Sequence, residues 1–166
     1  ATGTYIVKVQ TEEGISTDEV ASKYINEVKH DACHLGVHDA THTPKATDEI
    51  EGIIEMISDL IQKGVAYEVN GSVYFESNKF EGYGKLSKKN IDDLESGKRV
   101  AVSEDKKNPS DFILWKPKKD GEPYWESPWS DGRPGWHIEC SVMAKKYLGD
   151  KIDIHAIYKP AKIVSG

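Results

Sequence analysis

Two stretches of the chain repeat apolar residues at steps of three and four, which is the spacing of an amphipathic helix. The first follows Ser16, and Glu19 completes the spacing of a capping box, so a helix is predicted from there to about Ala32 or beyond. The second begins near Thr47 and ends before Lys63-Gly64, a typical helix end. One face of the second helix must be buried, because apolar residues recur along it: Ile50, Ile53, Ile54, Ile57, Leu60 and Ile61.

Shorter apolar runs predict strands. Residues 66–69 and 72–75 flank Asn70-Gly71, a pair that favours the type I′ turn of a β-hairpin. Residues 112–115 and 152–155 are predicted as buried strands, with a helix over residues 135–148 between them. The run within residues 1–10 fits either a short strand or the start of a helix. The alternation of helices and strands predicts an α/β fold.

The chain divides into three predicted parts. Residues 1–76 form a helical segment with a hairpin, residues 77–110 a peripheral lobe of interleaved basic and acidic side chains, and residues 111–166 return to the core as strand, helix and strand. A solvated surface is the simplest interpretation of the lobe's lysines. If the lobe does contact nucleic-acid phosphates, the candidates are Lys85, Lys88 and Lys89, with residues 116–119 as a second basic patch.

Composition narrows the class of protein. The 166 residues include 22 Lys and Arg against 28 Asp and Glu, a net charge of −6, so any nucleic-acid contact must be local. No apolar run approaches the roughly 18 residues that a membrane span needs, and no secretory signal is recognisable. Cys33 and Cys140 lie far apart and form no redox or zinc-ribbon pair. A reducing, cytoplasmic setting fits this cysteine usage.

Neither a histidine metal site nor a phosphate-binding loop is predicted from the sequence. His34, His38 and His42 repeat every four residues, but Gly36 and Pro44 interrupt the helix that would align them, so surface histidines are expected instead. The sequence also contains neither a Walker-type phosphate loop nor a Gly-x-Gly-x-x-Gly loop after a strand.

The most informative segment is "SPWSDGRPGWHIECSVM", residues 127–143. Its glycines and proline precede a predicted helix start, on which Trp136 and Cys140 are four residues apart and share a face. An aromatic wall would then stand beside a soft thiolate ligand, while His137 and Glu139 would point elsewhere. From these residues alone, a structural cysteine packed beside a tryptophan is the favoured alternative.

That segment, with "NPSDFILWKPKKDGEPYWE" and "GSVYFESNKFEGYGKLS", closely resembles the cysteinyl-tRNA synthetases, a family of class I aminoacyl-tRNA synthetases. The similarity runs from about residue 12 to residue 155 and includes "EEGIS", "THTPKATDEI" and "KYLGDKIDIH". The cysteine ligase of mycothiol synthesis is similar through the same segment and is the alternative parent.

The resemblance implies an internal fragment of a Rossmann-like catalytic domain with its connecting insertion. It also implies an ATP- and magnesium-dependent enzyme that activates cysteine and charges tRNA, and whose zinc ion is held by two Cys, a His and a Glu. Cys140 matches the second of those cysteines, Trp136 the aromatic wall of the amino-acid pocket, and His155 a histidine beside that pocket.

Several family features are not matched. The first zinc-ligand cysteine, the His-Ile-Gly-His-like signature, the His-His-Glu-Asn-Glu string and the Lys-Met-Ser-Lys-Ser-like loop have no counterpart, so one zinc ligand of four remains. We therefore assign no catalytic residue, expect zinc binding to be absent or weak, and expect the isolated chain to be inactive. A free-standing module that binds tRNA or a protein partner is a third interpretation. Residues 5–9 and 161–164 are predicted to pair as strands.

Overall fold

The computed structural model describes residues 14–85 and 105–156. Three α-helices lie in these ranges: α1 (Thr17–His34), α2 (Ile50–Gln62) and α3 (Ile138–Leu148). Four strands form one sheet: β1 (Ala66–Val69), β2 (Ser72–Phe75), β3 (Phe112–Pro117) and β4 (Gly132–Pro134). Two 3₁₀ turns complete the elements, Ala46–Glu49 and Ser77–Lys79. The predicted mixture of helices and strands is confirmed.

The sheet runs in the order β1-β2-β3-β4, and every neighbouring pair is antiparallel. A parallel pair, which a Rossmann-like sheet requires, does not occur among the strands of residues 14–85 and 105–156. The β1–β2 hairpin is confirmed at the predicted positions, because Asn70 and Gly71 both adopt positive φ angles, 51° and 77°. The sequence does not predict strand β4. Its three residues, Gly-Arg-Pro, show no alternation of apolar and polar side chains.

The capping box at the start of α1 is confirmed. The Ser16 hydroxyl accepts a hydrogen bond from the Glu19 backbone nitrogen, and the Glu19 carboxylate accepts one from the Ser16 backbone nitrogen. This backbone hydrogen bond lowers the pKa of Glu19. Helix α1 contributes little to the core, since Val20 is its one buried side chain among the described residues.

Helix α2 is the centre of the core. A 3₁₀ turn precedes it, so the α-helix begins at Ile50 and not at Thr47, and Gly64 ends it with a φ of 73°. Its inner face packs with strand β1 and helix α3, and it shares one apolar cluster with strands β2 and β3. The fully or nearly fully buried apolar members of this cluster are Ile53, Ile57, Val73, Leu114, Trp115, Ile138 and Val142.

A buried carboxylate ties the hairpin to the segment before β3. Asp111 is 1% exposed and accepts hydrogen bonds from the Tyr67 hydroxyl, 2.7 Å away, and from the backbone nitrogens of Ser77 and Asn108. Burial raises the pKa of Tyr67, so its hydroxyl stays protonated and donates. Both ends of the predicted 77–110 lobe are therefore held at the sheet, although much of the lobe lies outside the described residues.

Two predicted elements differ from the structure. Residues 152–155 form no strand: Ile152 is 43% and Ile154 85% exposed, because no strand in the described part of the chain pairs with them. Helix α3 begins at Ile138, three residues later than predicted, because Gly135 is bonded to β3 and His137 is left-handed. Residues 1–10 and 161–164 lie outside the described ranges. The predicted strand pairing of residues 5–9 with 161–164 therefore stays a prediction.

Candidate functional site

An open cleft of about 810 Å³ runs along helix α3, from Trp136 just before the helix to Gly149 just after it. Trp136, His137 and Cys140 line one side, Met56 of helix α2 contributes to the wall, and His155 lines it from the segment after α3. The three residues that the sequence singled out, Trp136, Cys140 and His155, thus come together in one cleft.

Two glycines hold the approach to this cleft tightly against strand β3. A Cβ atom at Gly132 would overlap the Lys116 carbonyl oxygen, and one at Gly135 would overlap the Ile113 carbonyl oxygen. These neighbours are backbone atoms of a paired strand, so they can move only if hydrogen bonds of the sheet are disturbed. Any other residue at either position would displace the segment that carries Trp136.

The loop before β4 is fixed through Ser130. Its hydroxyl donates to the Gly71 carbonyl oxygen in the hairpin turn at 2.7 Å, and its own carbonyl accepts from the Trp115 indole nitrogen at 3.2 Å. The Ser127 hydroxyl donates to the same carbonyl at 2.6 Å. The hairpin turn therefore supports the segment that leads to the cleft.

Trp136 presents its indole to solvent. The side chain is 76% exposed and stacks on the His137 imidazole, with ring centroids 4.9 Å apart and an angle of 16° between the planes. Trp136 precedes helix α3, so the prediction that it shares a helical face with Cys140 is wrong, and so is the prediction that His137 points elsewhere. Both side chains reach the cleft because the backbone turns at His137, where φ is 80°.

Cys140 lies in the first turn of α3 as a free thiol on the exposed side of the helix. The alternative of a buried structural cysteine is wrong, because the Cys140 side chain is exposed. Partial desolvation of the sulfur, and next the nearby Glu139 carboxylate, raise the pKa of this thiol. Cys33, also free and exposed, lies on α1 and does not line this cleft.

The described residues do not assemble a metal site. Within residues 14–85 and 105–156 no three His, Cys, Asp or Glu side chains are close enough to hold an ion together. Zinc in proteins takes four ligands, or three with an open position, so Cys140 supplies one donor and not a site. His34, His38 and His42 are all exposed, as expected.

The described lysines predicted as candidates for nucleic-acid contact do not line the cleft. Lys85 is exposed and does not line the cleft, and Lys88 and Lys89 fall outside the described ranges. Of the second basic patch, Lys118 pairs with Asp131 at 2.8 Å. No helix in the described part of the chain is long and apolar enough to cross a membrane.

Met56, His137 and Lys145 are among the cleft residues that sequence reasoning missed. Met56 lies among the isoleucines of α2, so its position indicated core and gave no sign of a cleft. His137 carried no signal either, since a left-handed histidine before a helix has no motif of its own. Lys145 lies five residues after Cys140, and nothing in its spacing separates it from a surface lysine.

Comparison with known proteins shows the family of the chain. The model of the family described as tRNA synthetases class I (C), catalytic domain, matches residues 3–158. The chain is 62% identical over 151 residues to the cysteine–tRNA ligase of Lachnoclostridium phytofermentans, covering 91% of this chain and 32% of that protein.

Other cysteine–tRNA ligases are similar to the same extent. That of Lachnospira eligens is 60% identical over 158 residues, covering 91% of the chain and 34% of the ligase, and that of Clostridioides difficile is 60% identical over 151 residues, covering 91% and 32%. The chain thus spans about a third of the length of the curated relatives it matches. It belongs to the family of class I (C) tRNA synthetase catalytic domains.

Proposed function

We propose that this chain supplies the wall of the cysteine-binding pocket in a cysteine–tRNA ligase, which activates cysteine with ATP and Mg²⁺ and transfers it to tRNA in the cytoplasm. One observation carries the proposal: the three residues that match the family's pocket, Trp136, Cys140 and His155, line a single cleft. The names of the relatives favour this function over that of the mycothiol ligase.

Trp136 and Cys140 each have an environment that suits the proposed role. The exposed Trp136 indole offers a flat apolar face for the methylene and backbone of a small amino acid. The Cys140 sulfur is a soft donor, of the kind that zinc prefers, and zinc binds a substrate thiolate better than the hydroxyl of serine. Because the described residues offer one donor, they do not hold the ion by themselves, and we derive no step through it.

The test uses a grafted ligase, in which this chain replaces the segment that it matches in the Lachnoclostridium phytofermentans enzyme. We expect cysteine-dependent exchange of pyrophosphate into ATP. Trp136→Ala should raise the KM for cysteine about tenfold, because a lost aromatic contact is worth roughly 1.4 kcal/mol. A matched control is Tyr124→Ala, since Tyr124 is 50% exposed and lies outside the cleft.

A soluble graft without exchange activity would contradict the proposal, as would equal KM values for the Trp136 and Tyr124 variants. The KM for ATP serves as an internal control, because Trp136 is assigned to the amino acid alone. We assign no catalytic residue to the described part of the chain.

A local tRNA contact through Lys85, Lys88 and Lys89 is the finer part of the proposal. What supports it is the exposure of Lys85 and the absence of a general positive charge that would attract nucleic acid elsewhere. Changing all three to Gln in the grafted ligase should weaken tRNA binding and reduce its salt dependence by up to about three phosphate contacts. An unchanged salt slope would contradict the contact.

A further inference from the structure

Glu49 is a buried carboxylate with two partners on another helix. It ends the 3₁₀ turn before α2 and is 5% exposed. The Lys146 ammonium donates to both of its oxygens, at 2.9 and 2.8 Å, and the Tyr147 hydroxyl donates to one of them at 2.9 Å. Both partners belong to the last turn of α3, the helix that carries Cys140.

Further contacts along the same pair of helices fix their register. Glu49 meets Lys146, and a Cβ at Gly52 would lie 3.0 Å from Val142 Cγ1. One turn further on, Met56 lines the cleft together with Cys140. Residue numbers rise from Glu49 to Met56 while they fall from Lys146 to Cys140, so the two helices are antiparallel.

The N-terminal end of α3, which carries Cys140, lacks an anchor of this kind. His137 is its N-cap residue and makes no side-chain hydrogen bond to the first turn. Gly52 lets the two helices approach closely, but apolar packing between them tolerates small slides and rotations. A charged group held by two directional donors does not.

We infer that Glu49 is a positioning residue of the cleft: by holding Lys146 and Tyr147, it sets the slide and rotation of α3 and hence where Cys140 faces Met56. This role deepens the proposed function and matters to catalysis only if that function holds. The Glu49–Lys146 contact can be tested without an amino-acid substrate. The positioning role of Glu49 and the proposed function can therefore fail separately.

The chain contains two methionines, which makes the test direct. With ¹³C-labelled methyl groups, Met56 reports on the cleft and Met143 on a separate groove beside Tyr147. Glu49→Gln keeps the shape of the side chain and removes its charge. We expect this variant to shift the Met56 methyl signal by more than its linewidth.

The matched control is Glu51→Gln, which removes an equal charge from an exposed position in the first turn of α2. It should leave the Met56 signal in place. Rescue is tested with the charge-reversed pair Glu49→Lys with Lys146→Glu, which should return the signal toward its original position. If Glu49→Gln loses its helical circular dichroism, Lys146→Gln takes its place with the same expectation.

Two results would overturn the inference. One is a Met56 signal that does not move when either partner of the Glu49–Lys146 contact is changed. The other is an equal shift in the Glu51 control, which would show that charge alone, and not the contact, affects the cleft.

Discussion

The backbone nitrogen of Gly135 donates a hydrogen bond to the carbonyl oxygen of Leu114, 2.7 Å away. This bond joins the residue immediately before Trp136 to the third strand of the sheet. Position 135 has no room for a side chain, because a Cβ there would overlap the Ile113 carbonyl oxygen. Backbone contacts with β3 therefore fix the position of the segment that carries Trp136.

Gly135→Ala should destabilise the chain by at least about 3 kcal/mol, since the added methyl group can be accommodated only by breaking this contact. Gly121→Ala is the control: its Cβ would meet open space, and its φ of 78° predicts a cost of only about 1 kcal/mol. Denaturant unfolding measures both. Equal losses of unfolding free energy in the two variants would contradict the claim that position 135 has no room for a side chain.

Much of the fold could be predicted from local patterns. The α1 capping box, the periodic isoleucines of α2 and the Asn70-Gly71 turn each act within a few residues, so the sequence alone indicates them. The failures depend on distant contacts. Residues 152–155 have the composition of a strand, but a strand needs a partner, and none pairs with it in the described part of the chain.

In the site, too, the features that depend on distant contacts could not be predicted from the sequence. The family resemblance selected Trp136 and Cys140, whereas the shared helical face predicted for them does not exist. They line one cleft although the backbone turns at His137 between them. Such a turn depends on the glycines that fasten residues 132–135 to β3, a contact across the sheet. Met56 joins the cleft through helix packing, which periodicity along α2 does not reveal.

The buried Asp111 should be one of the most sensitive positions in the fold. Asp111→Ala leaves the Tyr67 hydroxyl and the Ser77 backbone nitrogen without their acceptor, which predicts a loss of about 3 kcal/mol in unfolding free energy. Asp120→Ala, at an exposed position, should change it by less than about 0.5 kcal/mol. A similar small change for both variants would show that the Asp111 network contributes nothing.

Stability should depend on pH through the Glu49–Lys146 pair. The Lys146 hydrogen bond lowers the pKa of Glu49 below its ordinary 4.5, and the Glu49 hydrogen bond raises the pKa of Lys146 above its ordinary 10.5. The Glu49 contribution is complete above 4.5 and is lost as pH falls through the folded-state pKa. The Lys146 contribution is complete below 10.5 and is lost as pH rises through its own.

The difference in melting temperature between the wild-type chain and Glu49→Gln should therefore be largest between these two ordinary values and shrink as the solution becomes more acidic. Thermal unfolding followed by circular dichroism across the pH range measures it. A difference that stays constant into strong acid would contradict the assigned ion pair.

The most direct measurement compares cysteine with serine in the grafted ligase. The ratio of kcat/KM for the two amino acids should fall when Cys140 is changed to Ser, because its sulfur is assigned to the site that reads the substrate thiol. Cys33→Ser, at the other free and exposed thiol, should leave the ratio unchanged. An unchanged ratio in the Cys140 variant, with activity retained, would contradict the assignment of this cleft to cysteine.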